Sequence, residues 1–67
     1  MISESDIYLA ARIMIREYGD EALAKSKAKA NKFWDAGDDE GAAVWMRIAR
    51  AVEALREKRP SASDQTH

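Results

Sequence analysis

A row of three lysines is the clearest candidate for binding chemistry in this 67-residue chain. Lys25, Lys29 and Lys32 recur at i, i+4 and i+7, a spacing that places their ammonium groups on one face of an α-helix. Such a face could contact phosphate groups. The net charge of the chain is −1, however, and nucleic-acid-binding domains concentrate far more positive charge. We therefore interpret the row as a solvated helix face and keep phosphate contacts as the alternative.

An acidic segment at residues 35–40 is the next candidate, because clustered carboxylates can bind hard cations. Calcium requires six to eight oxygen ligands at defined loop positions, and here Gly41 and Ala42 stand where further ligands would be needed. Acidic residues are also typical of helix N-caps and first turns, where they complement the helix dipole. We assign the segment to helix capping and predict no metal site.

Catalytic chemistry has little support in the sequence. The chain contains no cysteine, and its one histidine, His67, is the last residue. Ser26 has no histidine near it in the sequence to activate it as a nucleophile, and general acid–base catalysis needs a group that titrates near neutral pH. A helical domain of this size also has little room for a substrate pocket. We predict a non-enzymatic protein with no catalytic residue, cofactor or small-molecule substrate.

The elements that position these residues are helices. Helix start and stop signals predict an all-α fold with three helices, at about residues 4–18, 21–36 and 39–58. Ser3 or Ser5 caps the first helix, Asp20 the second and Asp38 the third, while glycines at 19 and 37 end the preceding helices. The short second loop predicts an antiparallel hairpin of helices 2 and 3. One domain then covers residues 1–59, and residues 60–67 form a polar tail predicted to be disordered.

The first and third predicted helices carry more apolar surface than a three-helix fold of this size needs for its core. Apolar residues cover roughly 260° of the helix 1 wheel and roughly 220° of the helix 3 wheel, whereas a surface helix usually shows a stripe a little over 100° wide. Both tryptophans, Trp34 and Trp45, fall in apolar faces, and we expect Phe33 and Trp34 to pack near Trp45 in the hairpin core. The residues predicted to form an interaction surface are Leu9, Ile13, Met14, Trp45 and Met46.

The surplus apolar surface determines the functional prediction. A small chain without disulfides commonly gains stability by oligomerisation. We predict a protein–protein interaction module (an adaptor, regulator or inhibitor) that forms a homodimer through helices 1 and 3. We place it in the cytoplasm, since no stretch reaches the roughly 20 apolar residues that a membrane span requires. The alternative is a small dimeric DNA-associated regulator that uses the lysine row.

The last two predicted helices also carry a family resemblance. The Gly37-Asp38 turn, the glycine at 41, Trp45 and Ile48 resemble a pattern in short uncharacterised alphaproteobacterial proteins, as does the upstream segment 18–20. The resemblance extends over residues 6–56. It implies a small helical protein and implies no activity.

Overall fold

The computed structural model describes residues 2–58, and helices account for 91% of them without any strand in that range. The prediction of an all-α fold is therefore confirmed. Helical backbone runs in two stretches, so the predicted count of three separate helices is not confirmed. The first contains α1 (Glu4–Tyr18), a 3-10 turn (Gly19–Glu21) and α2 (Ala22–Asp35), and the second is α3 (Asp39–Lys58). The predicted tail at 60–67 lies outside the described residues.

Local hydrogen bonds fix the two ends of α1 as the sequence indicated. The Ser3 hydroxyl accepts from the Asp6 amide at 3.3 Å, and the Asp6 carboxylate accepts from the Ser3 amide at 3.4 Å, which completes a capping box. At the other end Gly19 adopts a φ of +56°, and its amide donates to the Ile15 carbonyl. Only glycine adopts such a conformation without strain, so α1 ends there.

The start of α2 differs from the expectation. Asp20 was predicted to be the N-cap, and this prediction is wrong, because the 3-10 turn carries the chain directly from α1 into α2. The Ala22 amide donates to the Gly19 carbonyl, so a backbone oxygen, and not a side chain, accepts the hydrogen bond from the first amide of α2. The Asp20 carboxylate instead pairs with Arg56 of α3 at 3.1 Å. The predicted range 21–36 is one residue too long at each end.

The turn between α2 and α3 follows the predicted pattern. Gly37 has a φ of +81°, and the Asp38 carboxylate accepts a hydrogen bond from the Gly41 amide at 3.0 Å. Asp38 is thus the cap of α3. The two helices are antiparallel. Lys29 of α2 lies over Trp45 of α3, and Phe33, further along α2, lies against Gly41, which comes earlier in α3.

The core is built largely from small side chains. Ile7, Ala11 and Met14 of α1 pack on a buried cluster that also contains Ala22, Ile48, Ala51 and Val52. Ser26 is fully buried between the helices, and its hydroxyl donates to the Ala22 carbonyl at 2.8 Å. Alanines let the helix axes approach closely, but each buries little apolar area. Several larger apolar side chains, Leu23, Val44, Trp45 and Leu55, are only partly buried against this cluster.

Candidate interaction surfaces

The outer face of α1 is an exposed apolar surface, which we define by Leu9 and Ile13. Their exposed fractions are 56% and 47%, respectively. The two residues are one helical turn apart, and they lie on the side of α1 opposite Ile7 and Ala11, which are buried. The structure thus places both predicted residues on the surface of the protein.

Met14 was assigned to the same surface, and that assignment is wrong. Its exposed fraction is 6%, and it packs in the core cluster. Met14 follows Ile7 by seven residues and Ala11 by three, so it lies on the core side of α1 rather than beside Ile13.

The two tryptophans have different surroundings. Trp45 is half-buried against the core, with the Lys29 ammonium 5.3 Å from the centre of its ring. Trp34, expected in the hairpin core beside it, is 65% exposed, so this expectation is wrong. One signal was available in the sequence. Trp34 follows the exposed Lys27 by seven residues, which places both side chains at the same edge of α2.

Trp34 and Met46 border a shallow groove between α2 and α3, which we call the hairpin groove. Its volume is about 250 Å³, and it is lined by Ala30, Asn31, Trp34, Ala42 and Met46. The two alanines are buried, whereas Met46 is 49% exposed. A large aromatic and a flexible thioether above a floor of small residues form an adaptable apolar surface.

The hairpin groove lies on the side of α3 away from α1. Ala51 borders the groove that α1 forms with α3, together with Ile7 and Tyr8. Met46 precedes Ala51 by five residues, which corresponds to about 140° around the helix. Because Leu9 and Ile13 also face away from the core, the outer face of α1 and the hairpin groove point in different directions. The structure does not bring these two parts of the predicted surface together.

The lysine face, defined by Lys25, Lys29 and Lys32, lies along the other edge of α2. Lys25 places its ammonium 5.5 Å from the centre of the Tyr18 ring, and Tyr18 and the three lysines line a depression of about 240 Å³. Among the described side chains the only ion pair joins Arg56 to Asp20, so none of these three lysines forms an ion pair with a described carboxylate. The face is open to an anionic partner.

In the acidic segment the structure gives Asp38 a role as a helix cap, and Asp39 and Glu40 lie in the first turn of α3. Within residues 2–58 no group of three His, Cys, Asp or Glu side chains is arranged to hold a metal ion. Within the same range no helix combines the length and apolar character needed to cross a bilayer.

Comparison with known proteins gives no relative for this chain, since no family model, curated protein or solved structure matches it.

Proposed function

We propose that this protein is a small, cytoplasmic, non-enzymatic interaction module, a three-helix domain whose partner is a second copy of itself. The observation that carries the proposal is the exposure of Trp34 beside Met46 in the hairpin groove. Tryptophan is among the residues that contribute most to protein–protein binding, and removing its ring from water is favourable. We also propose kinship with the short alphaproteobacterial proteins that the chain resembles, which implies no activity.

The outer face of α1 supplies a second, smaller contact between copies. Its two aliphatic side chains expose less apolar area than an indole and a thioether together. One symmetric interface cannot use both surfaces, because they point in different directions. Self-association through α3 therefore forms the dimer, and contacts through Leu9 and Ile13 add to it at higher concentration.

Sedimentation velocity over a wide range of protein concentrations tests this function. We expect the mass to rise from that of one chain to that of two. The double variant Leu9→Glu/Ile13→Lys should keep this transition and lose any larger species. Its control is Ala28→Glu, which introduces a charge at an exposed position of α2 outside the lining of the hairpin groove. A wild-type protein that stays monomeric at every concentration would contradict the proposal.

The alternative function is a DNA-associated regulator, and the observation that favours it is that the lysine face forms no ion pair with a described carboxylate. A dimer presents this face twice. Retention on duplex DNA should then fall steeply with salt, because each phosphate contact releases counterions. The triple variant Lys25→Gln/Lys29→Gln/Lys32→Gln should abolish retention, whereas Lys27→Gln should weaken it little. Elution of the wild-type protein at low salt would remove this alternative.

A further inference from the structure

We draw no further inference here: the strongest candidate, the hairpin groove between α2 and α3 with the exposed Trp34 and Met46 at its edge, is the surface on which the proposed function already rests, and nothing in the described residues shows what covers it.

Discussion

Replacing Gly41 by alanine tests how closely α2 approaches α3 next to the turn. A Cβ atom at this position would lie 2.7 Å from Cδ1 and 3.0 Å from Cγ of Phe33. It would also lie 2.9 Å from Oδ2 of Asp38, the residue that caps α3. Gly41 therefore allows the aromatic ring to rest directly on the first turn of α3.

The expected magnitude follows from opposing contributions. Alanine favours a helix over glycine by up to about 1 kcal/mol, which would stabilise the variant if space were available. Forcing a methyl group into a packed contact costs about 1–3 kcal/mol. Displacing the Asp38 carboxylate weakens a cap that is itself worth about 1 kcal/mol. We expect Gly41→Ala to lower the free energy of unfolding by about 1–2 kcal/mol.

Urea unfolding followed by circular dichroism measures this free energy. Every variant is compared at one protein concentration, because self-association adds to the apparent stability. Ala24→Gly, at an exposed helical position, calibrates the helix-propensity contribution alone. The decisive comparison repeats Gly41→Ala in a Phe33→Ala background, where the ring is absent. The loss should shrink or change sign there, with an interaction energy of about 1–3 kcal/mol between the two sites.

Two outcomes would refute this reasoning. If Gly41→Ala stabilises the protein in the wild-type background, the ring moves aside at negligible cost, and the close approach is not a packing constraint. If Gly41→Ala changes the free energy of unfolding equally in the wild-type and Phe33→Ala backgrounds, contact with the Phe33 ring does not contribute to its effect.

Three further predictions use the same unfolding measurement. Asp38→Ala should cost about 1 kcal/mol through loss of the cap bond to the Gly41 amide, and a loss near zero would mean that water replaces this bond without penalty. Val52→Ala should cost about 2–3 kcal/mol because this side chain is fully buried, whereas a much smaller loss would show that the alanine-rich core collapses around the cavity. Arg56→Met should cost less than about 1 kcal/mol, since the Asp20 side chain that it pairs with is 96% exposed, and a larger loss would indicate that the bond to the Gly19 carbonyl organises the turn.

Much of the helical framework could be predicted because its signals are local. The capping box at Ser3, the positive φ at Gly19 and the cap at Asp38 each depend on a few neighbouring residues. The prediction failed at Asp20 because the 3-10 turn supplies a backbone acceptor for the first amide of α2. The Asp20 carboxylate is not used as a cap and pairs with Arg56 instead.

The candidate surfaces were predicted only in part, because a helical wheel gives the breadth of an apolar arc but not which part a neighbour covers. Leu9, Ile13 and Met46 were correctly placed on the surface. Met14 and Trp34 were each assigned to the wrong environment, although Met14 lies two turns from Ile7 and Trp34 two turns from Lys27, spacings that indicate the sides observed.

By itself, then, the sequence determined an all-α chain, the limits of its helices to within a residue, and the broad apolar arcs of its first and last helices. Short-range hydrogen bonds and helical periodicity are sufficient for these features. The tertiary structure decided which parts of that surface remain exposed. Once α1 packs on the side of α3 that carries Ala51, Met46 is left on the other side with Trp34, while Leu9 and Ile13 face outward. That choice depends on contacts between residues far apart in the chain, which no local pattern encodes.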